Sequence, residues 1–412
     1  MIFALLFACT STQEETIVTL PDKEQRGPFQ IVRLEGTPYE MGVQHGELLL
    51  EELEEGAEYI ASDPLMGGML MLADQQGLLE FAYEQSTPQY IQECEGMTSV
   101  SDIVGWTMDH CILLNFGDVI IERLLNPPEQ TPGCSQIVAQ REVTEEGSML
   151  HGRLLDWEQI DFIIENPTIF VKRPTDGIPH VIIGFPGNLC PYQGMNRAGL
   201  SIASNEAHPG DDVPFELTKA DSHVQMVGTL LANAQSLDEV STYISSMHHA
   251  STESIVVADG TNNATAVFEM THQDIDMRLA AQGMVFQTNH FVGERTSIYD
   301  VDPIRDNSQK RFDRIDELLS IQPKLSMQSL QSILKDRMDP WSGEETPVGT
   351  FNDGNSLATN GALFGVIFAP EQLHFYVASG DIPVPEQQWY GFSLLSLLGE
   401  EDPNPPAEFL VP

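Results

Sequence analysis

The amino-acid sequence predicts an α+β fold with two antiparallel β layers, and two observations support this class. Strand-like and helix-like patterns come in blocks along the chain, whereas a doubly wound parallel sheet would alternate them strictly. No GxGxxG or phosphate-loop pattern accompanies the strands. With 412 residues, 41% of them hydrophobic, the chain can bury a large core as one big domain or as two ordinary ones.

The first third of the chain is predicted to be mainly helical. FQIVRLEG, residues 29–36, has the composition of a strand, and the turn chemistry of GTPYEMG follows it. Apolar residues then recur at helical spacing at Leu49, Leu53, Ala57 and Ile60, and further helix is expected from residue 73 to residue 125. NPPEQTPG, residues 126–133, ends this part because its prolines and glycine interrupt regular structure.

Short strands dominate from Cys134 onward. The strand candidates are CSQIVAQREV, SMLHGRLLDW, PTIFVKR, HVIIGF, GLSIAS, ESIVVAD, ATAVFEM, MVFQTNH, ALFGVIFA and LHFYVAS. Helical patterns return around residues 217–248 and 306–337. The Pro-rich stretch after residue 380 is predicted to be a loose tail.

The charge of the chain excludes one class of partner. The 62 acidic and 19 basic residues give a formal net charge of -43, which repels phosphate backbones, so we expect no nucleic-acid binding. We interpret the acidity as a solvated surface suited to salty or exported conditions. The sequence contains no run of eighteen apolar residues, the length that a membrane-spanning helix needs.

The amino terminus, MIFALLFACTSTQEET, resembles a bacterial lipoprotein signal. In that pattern Cys9 is lipidated and becomes the first mature residue, after a short apolar run and before a polar spacer. We therefore expect residues 1–27 to be signal and spacer, and the protein to be an exported lipoprotein, or periplasmic or extracellular, with a lipid anchor to the membrane. The alternative is a frayed apolar tail on a cytoplasmic protein.

The remaining cysteines form neither a disulfide framework nor a zinc pattern. For Cys94, Cys111 and Cys190 we expect buried thiols, with a Cys94–Cys111 or Cys94–Cys190 bridge as the alternative in an exported protein. Cys190 lies in a Gly/Pro-rich turn, and His110 and Cys111 lie in an apolar helical run, so their predicted roles are structural.

No metal or organic cofactor is expected. Asp259, Asn262 and Asn263 in DGTNNAT carry ligand-type oxygens, but their spacing is not that of an EF-hand. We interpret this segment as a β-turn.

Cys134 lies between a breaker-rich loop and a strand, and two chemical uses fit a thiol there. A papain-like nucleophile would begin a helix, which the strand-like SQIVAQREV disfavours. The other use is self-cleavage, because Gly133 has no side chain and lets the thiol approach its carbonyl. An acyl shift and hydrolysis would free the Cys134 amine, whose pKa of about 7.7 to 8 lies near the roughly 8.5 of a thiol, so one residue would supply nucleophile and base.

Five segments between residues 36 and 380 carry a resemblance to one protein family, and they follow each other in the order found in that family. They are GTPYEMGVQHGELL, GCSQIVAQREVTEEGSMLHGRLLDW, GMNRAGLSIASN, QTNHF and NSQKRFDRIDELL. Together they resemble the acyl-coenzyme A:6-aminopenicillanic acid acyltransferase family of N-terminal nucleophile (Ntn) hydrolases, which is related to choloylglycine (bile-salt) hydrolases, penicillin V acylases and acid amidases. The resemblance implies a four-layer αββα sandwich of two antiparallel sheets, made as a precursor that is cut between Gly133 and Cys134.

The resemblance also implies roles around the thiol. Cys134 would attack an acyl carbonyl, Asp156 would orient the new terminal amine, and Arg153 would keep the thiol pKa low. Residues three apart on a strand face opposite sides, so Arg153 and Asp156 reach one site only through a bend or bulge. The ordinary alternative for this pair is a surface ion pair.

By the same resemblance, Asn205 and Asn289 would donate N–H groups to the oxyanion or orient the substrate amide, and Arg311 would close the site from a helix start. A turn-forming asparagine is the alternative for Asn205, and an exposed helix-start arginine is the alternative for Arg311. We interpret His290 as structural.

The implied protein has an alpha chain, residues 28–133, and a beta chain, residues 134–412, which stay associated as one globular domain. It would be an autoprocessed amidohydrolase or acyltransferase that acts on a small-molecule acyl amide through a Cys134 thioester. One alternative is an uncleaved thiol protease or transglutaminase-like enzyme that uses Cys134 with His290 or His151. Another is a catalytically inactive, acidic surface lipoprotein that binds a partner or calcium.

Overall fold

A computed structural model describes residues 22–117, 119–120, 133–157, 160–207, 221–249, 252–271, 273–300, 304, 306–347 and 355–411. Cys9 and residues 1–21 lie outside the described residues, so the lipoprotein signal stays a prediction. None of the described helices is both long enough and apolar enough to cross a membrane.

Helices occur in several stretches of the described chain, and six of them follow one another in its first third. The helices are α1 (Pro38–Leu48), α2 (Leu50–Ser62), α3 (Pro64–Gln75), α4 (Leu78–Gln85), α5 (Pro88–Ser101), α6 (Met108–Asn115), α7 (Asp161–Glu165), α8 (His223–Asn233), α9 (Leu237–Ser246), α10 (Asp306–Ser320), α11 (Met327–Leu334) and α12 (Leu394–Leu397). The predicted helical first third is confirmed, since α1 to α6 follow one another from residue 38 to residue 115.

Nine strands form the first sheet in the order β1-β2-β5-β6-β7-β8-β9-β10-β11. They are β1 (Asp22–Arg26), β2 (Phe29–Gly36), β5 (Thr168–Pro174), β6 (His180–Gly184), β7 (Gln193–Asn196), β8 (Leu200–Glu206), β9 (Glu253–Asp259), β10 (Ala264–Met270) and β11 (Ile275–Leu279). Neighbours are antiparallel except β2 and β5, which run parallel. This pair departs from the predicted all-antiparallel sheet because the long chain between β2 and β5 can cross over.

Seven strands form the second sheet in the order β12-β3-β4-β15-β16-β17-β18, all antiparallel. They are β3 (Ser135–Ala139), β4 (Leu150–Asp156), β12 (Met284–Gln287), β15 (Ala362–Ala369), β16 (His374–Ala378), β17 (Trp389–Ser393) and β18 (Phe409–Leu410). A separate hairpin pairs β13 (Met338–Asp339) with β14 (Glu344–Glu345).

The two sheets pack face to face, and helices cover both outer faces. Side chains of β15 alternate: Val366 joins the inner core with Ile183 of the first sheet, whereas Ile367 packs with Leu330 of α11. On the other outer face, α1, α2, α5, α8 and α9 cover the first sheet around Val32. The predicted four-layer αββα sandwich is confirmed.

The prediction of a loose tail after residue 380 is wrong. β17 pairs with β16, and Trp389 is fully buried with its indole N–H donating to the Pro385 carbonyl at 2.9 Å. The prolines of this stretch suggested a loose chain, but its apolar side chains complete the second sheet.

The expectation of buried thiols is wrong for two cysteines. Cys94 of α5 and Cys111 of α6 form a disulfide, with their Cα atoms 5.9 Å apart. Helix packing brings the two positions within bonding distance, which spacing in the sequence could not reveal. Cys190 is buried in the helix-side core and is not in a disulfide.

The β-turn interpretation of DGTNNAT is confirmed. Asp259 pairs with Ala264 across the β9–β10 hairpin, and its Oδ1 accepts from the backbone N–H of Asn262 at 2.9 Å. Within the described residues, no group of three or more His, Cys, Asp or Glu side chains is arranged to hold a metal ion.

Candidate active site

The Gly133–Cys134 junction lies at the start of β3, on the side that faces the first sheet. Cys134 is 7% exposed and belongs to the core between the sheets. Side chains two apart on a strand share a face, and Gln136 confirms the direction by donating to Asn205 Oδ1 at 2.7 Å. The thiol therefore points into the space between the two sheets.

Arg153 of β4 holds the thiol and two neighbouring polar groups at once. Its Nη2 donates to Cys134 Sγ at 3.5 Å, its Nε to Gln193 Oε1 at 2.6 Å, and its Nη1 to Asn205 Oδ1 at 2.8 Å. The rigid guanidinium serves three fixed acceptors in this way. Because Arg153 is fully buried, the surface ion-pair alternative is wrong.

The bulge that Arg153 and Asp156 need is present in the neighbouring strand. Leu155 pairs with Phe364, but Asp156 pairs with Ala362, so β15 carries one extra residue at this point. Such an irregularity re-aims the side chains beside it. The sequence-based prediction of a bend or bulge here is confirmed.

Asp156 is a buried carboxyl with one acceptor still open. Its Oδ2 accepts from Thr359 Oγ1 at 2.9 Å, whereas Oδ1 is buried and has no hydrogen-bond partner among the described residues. Burial raises the pKa of Asp156 to about 7, although Arg311 and Arg153 pull it down. Its pKa therefore lies well above that of an ordinary carboxyl.

The thiol itself is not activated in the uncut chain. Burial raises the pKa of Cys134 above its ordinary value and Asp156 adds to the rise, whereas Arg153 and Arg311 lower it. The resemblance implied that Arg153 helps to keep the thiol pKa low, and Arg153 does pull that pKa down, but loss of water around the sulfur outweighs this pull.

Arg311 reaches the junction from the second turn of α10. It is fully buried, so the exposed-arginine alternative is wrong. Its Nη1 donates to the Cys134 carbonyl at 2.6 Å and to Ser135 Oγ at 3.0 Å, and its Nη2 donates to Asn289 Oδ1 at 2.8 Å. Burial lowers the pKa of Arg311 to about 10, so the guanidinium stays charged at neutral pH.

Gly133 fits because it lacks a side chain. A Cβ atom built there would lie 2.1 Å from Asn289 Oδ1 and 2.7 Å from Arg311 Nη2. Both neighbours are buried and hydrogen-bonded, so neither can move aside cheaply.

The side-chain amides of Asn205 and Asn289 donate hydrogen bonds to main-chain carbonyls. Asn205 lies within β8, paired with Ser254, so the turn-forming alternative is wrong. Its Nδ2 donates to the carbonyls of Thr288 at 3.1 Å and Cys134 at 3.5 Å. Asn289 Nδ2 donates to the Glu206 carbonyl at 2.6 Å.

Comparison with known families identifies the chain. The model of the acyl-coenzyme A:6-aminopenicillanic acid acyltransferase family matches residues 161–379, more than half of the chain. The chain belongs to this family. Asn205, Asn289 and Arg311 lie inside the matched region, whereas Cys134, Arg153 and Asp156 precede it.

Relatives of this family member differ in how far they match it. An uncharacterized protein of Archaeoglobus fulgidus is 27% identical over 228 residues, which cover 48% of this chain. The match covers 37% of that protein, so the chain spans little more than a third of its length.

Three solved structures are similar at low identity. The N-acylethanolamine-hydrolyzing acid amidase ortholog of Caenorhabditis elegans has a TM-score of 0.41 at 18% identity, covering 58% of this chain and 93% of that one. A conjugated bile acid hydrolase of Clostridium perfringens has a TM-score of 0.42 at 14% identity, covering 65% and 95%. Penicillin V acylase of Agrobacterium tumefaciens has a TM-score of 0.40 at 12% identity, covering 63% and 86%.

Neither candidate histidine of this acyltransferase-family chain is directed at the thiol. His151 Nδ1 and Nε2 are hydrogen-bonded to Ser201 Oγ and Gln136 Oε1, both at 2.9 Å, and burial lowers its pKa to about 3. His290 Nδ1 is hydrogen-bonded to Ser308 Oγ at 2.8 Å, and burial lowers its pKa to about 4. These contacts disfavour the uncleaved cysteine–histidine alternative.

Four polar residues of the family member's site were missed by sequence reasoning: Gln136, Gln193, Ser135 and Thr359. Gln136 offered a signal, because it lies two residues after Cys134 on a strand and therefore shares its face. Thr359 offered none, because 203 residues separate it from Asp156.

Proposed function

We propose that this chain is an Ntn enzyme that cuts itself between Gly133 and Cys134 and then acts on a small-molecule acyl amide. It would work as an amidohydrolase or acyltransferase through a thioester on Cys134. The observation that carries this proposal is the contact of the Cys134 sulfur with the Arg153 guanidinium and with the main-chain carbonyl of Asp156, at a junction where only glycine fits.

Self-cleavage would begin with the sulfur of Cys134 attacking the carbonyl carbon of Gly133. The new S–C bond forms as the C–N bond to Cys134 breaks, and the thiol proton passes to the departing amine. Water then hydrolyses the thioester, which releases the Gly133 carboxylate and restores the Cys134 thiol. Arg311 supports this step by holding the Cys134 carbonyl at 2.6 Å.

The open oxygen of Asp156 supports the next state. A freed α-amine at Cys134 would be a hydrogen-bond donor and, when protonated, a positive charge beside this carboxyl. That charge would lower the pKa of Asp156 from about 7 and keep it ionised. In its neutral form, the amine would act as the general base for the thiol.

Turnover would repeat the same chemistry on a substrate. The thiolate attacks the amide carbonyl, the amine leaves with a proton, and water or an acceptor amine takes the acyl group from the thioester. An amide NH₂ has two donors, and Asn289 uses one of them on Glu206, so the other can support the oxyanion. These steps use no metal or organic cofactor.

The test is the intact mass and N-terminal sequence of the denatured protein beside its Cys134→Ala variant. We expect the wild type to yield a chain that begins CSQIVAQ and the variant to stay whole. Cys190→Ala is the matched control, because it removes another buried thiol that lies away from the junction. It should be cut like the wild type.

Other outcomes would favour the other functions. A wild-type chain that stays whole yet hydrolyses acyl amides would contradict self-cleavage and favour an uncut thiol enzyme. A folded wild type whose Cys134 fails to react with a thiol probe would favour an inactive binding protein.

We also propose that the cut chains stay together in an exported protein. β2 of the N-terminal part pairs along its length with β5, and cutting at residue 133 leaves this pairing intact. Size-exclusion chromatography without denaturant should therefore give one peak that contains both chains.

A further inference from the structure

The loop that follows Asn289 is held in place from outside the candidate site. This loop, residues 290–300, connects the end of β12 to the segment before α10. Several of its backbone N–H groups donate to carboxylates of β10, β11 and the loop's own end. Its conformation therefore depends on acidic side chains that the proposed mechanism does not use.

Glu269, near the end of β10, is the main anchor of this loop. It is fully buried, and its Oε2 accepts from the backbone N–H of Val292 at 3.0 Å and of Gly293 at 2.7 Å. The same oxygen accepts from Thr296 Oγ1 at 2.6 Å, and Oε1 accepts from Arg278 Nε at 2.7 Å. One buried carboxylate thus fixes three residues of the loop.

Asp300 is the second anchor. Its Oδ2 accepts from the backbone N–H of Phe291 at 2.8 Å, whereas its Oδ1 is buried and has no partner among the described residues. Burial raises the pKa of Asp300 to about 8, and the nearby Glu269 carboxylate adds to the rise.

The backbone N–H groups that these anchors hold at Phe291, Val292 and Gly293 lie within four residues of Asn289. The backbone on the Asn289 side is also held, because Gln287 Nε2 donates to the His290 carbonyl at 2.6 Å and Asn289 N donates to Ser308 Oγ at 2.8 Å. The Asn289 side chain in turn bonds Arg311 at the junction. Contacts therefore run without a break from the two carboxylates to the Gly133–Cys134 bond.

We propose that Glu269 and Asp300 are positioning residues for Asn289, and that they hold the loop best while Asp300 keeps its proton. This inference rests on the proposed function, because only that function gives Asn289 a part in the chemistry. With Asp300 protonated, one buried negative charge accepts the loop N–H groups and is balanced by Arg278. With Asp300 ionised, a second negative charge lies near the buried Glu269 carboxylate.

The sign of the pH effect follows from the raised pKa. Asp300 stabilises the anchored conformation of the loop fully at pH values below the ordinary carboxyl pKa of about 3.9. This contribution is lost as the pH rises to about 8, the pKa of Asp300 in the folded chain. Arg278 faces Glu269, and the Asp276 carboxylate of β11 faces the same loop, where it accepts from the backbone N–H of Arg295. The Arg295 side chain pairs with Asp274.

We call the hold of Glu269 and Asp300 on the loop the brace. Amide hydrogen exchange tests it without any need for enzyme activity. In a Cys134→Ala chain, which cannot cut itself, peptides covering residues 289–296 should lose protection as the pH rises from 5 to 8. After correction for intrinsic exchange, the loss should approach about tenfold per pH unit. Adding Asp300→Asn should remove this pH dependence, and adding Glu269→Gln should speed exchange at every pH.

Glu294→Gln is the matched control, because it removes a charge from an exposed position of the same loop. It should leave exchange and its pH dependence as they are. An unchanged pH dependence in Asp300→Asn, or unchanged exchange in Glu269→Gln, would overturn the brace.

Self-cleavage tests the positioning role. Glu269→Gln in the otherwise wild-type chain should slow the appearance of the CSQIVAQ chain by at least about tenfold, while Glu294→Gln should not. If the brace appears in exchange but Glu269→Gln cuts at the wild-type rate, the positioning role is wrong. If no chain is cut at any pH, self-cleavage fails, and the exchange result still decides the brace.

Discussion

A methyl group at position 133 would have to share space with two buried polar side chains. Gly133→Ala places a Cβ atom 2.1 Å from Asn289 Oδ1, so the junction must shift away from the geometry that self-cleavage needs. We expect this variant to fold and to remain uncut, or to be cut at least about a hundredfold more slowly, by intact mass over time.

Gly68→Ala is the control for this substitution. Gly68 lies in α3 with nothing within 4 Å of a built Cβ atom, so alanine there should raise helix stability by about 0.5 to 1 kcal/mol. Its cutting rate should match the wild type. Cutting of Gly133→Ala at the wild-type rate would mean that the junction rearranges before the reaction.

Asp156 should make the uncut chain less stable as the pH rises. Its pKa is about 7 in the folded chain and about 3.9 when unfolded, so its contribution is full below pH 4 and is lost as the pH rises through 7. Cys134→Ala should therefore lose stability to urea between pH 5 and 7 relative to Cys134→Ala/Asp156→Asn, by up to a few kcal/mol.

The double variant is informative because asparagine keeps the shape of Asp156 without its charge. A stability difference that does not change with pH would contradict the raised pKa and leave only the loss of the Thr359 hydrogen bond to explain it.

At the scale of elements, the C-terminal strand β17 is part of the core. Trp389 is fully buried against β15, where a Cβ atom on Gly365 would lie 2.8 Å from its ring. Trp389→Ala should lower the free energy of unfolding by about 3 to 5 kcal/mol, measured by urea denaturation of the Cys134→Ala chain.

Trp341 offers the matched comparison for Trp389. It is 51% exposed and contacts Lys310 and Asp313 at the surface, so Trp341→Ala should cost much less. Equal losses for the two variants would mean that β17 contributes no more than a surface element.

The pairing of β4 with β15 shows that an irregularity next to one strand can come from a partner far away in the sequence. The alternation of SMLHGRLLDW predicted β4 correctly and required an irregularity near Asp156. Its form was decided by β15, which begins more than 200 residues later. A local pattern can indicate that a bulge is needed, but it cannot say which strand supplies it.

At the scale of the whole molecule, the Cys94–Cys111 disulfide joins α5 to α6 on the outer face of the first sheet. It encloses a short loop, with a sequence separation of 17, so Cys94→Ala/Cys111→Ala should lower stability by about 3 kcal/mol under oxidising conditions. Non-reduced peptide mapping should recover the linked pair from the wild type.

The same bond bears on the proposed export, since disulfides persist in oxidising compartments. Recovery of Cys94 and Cys111 as thiols from the native host would contradict both the bond in the cell and an exported location. The Cys190 thiol serves as the internal control, because it is not in a disulfide and should be alkylated in every denatured sample.

The sequence by itself determined the elements and the position of the junction. Periodicity located the helical first third and the main strands, and the Pro and Gly residues before Cys134 marked a breaker-rich turn next to a thiol. The family resemblance then named Arg153, Asp156 and Arg311. Arg153 and Arg311 reach Cys134 with their side chains, and Asp156 contacts the Cys134 sulfur through its main-chain carbonyl. The elements and the turn could be predicted because they depend on neighbours in the chain, whereas the site residues came from the resemblance.

Only the tertiary structure decided the rest. It buried Arg153 and Arg311, made burial outweigh their lowering of the Cys134 pKa, and brought Glu269 to the loop behind Asn289. Each of these outcomes depends on the water and charge around a side chain, which are set by packing between strands and helices far apart in the sequence. Local pattern carries no information about that packing, so burial, pKa and long-range partners emerge only when the layers close.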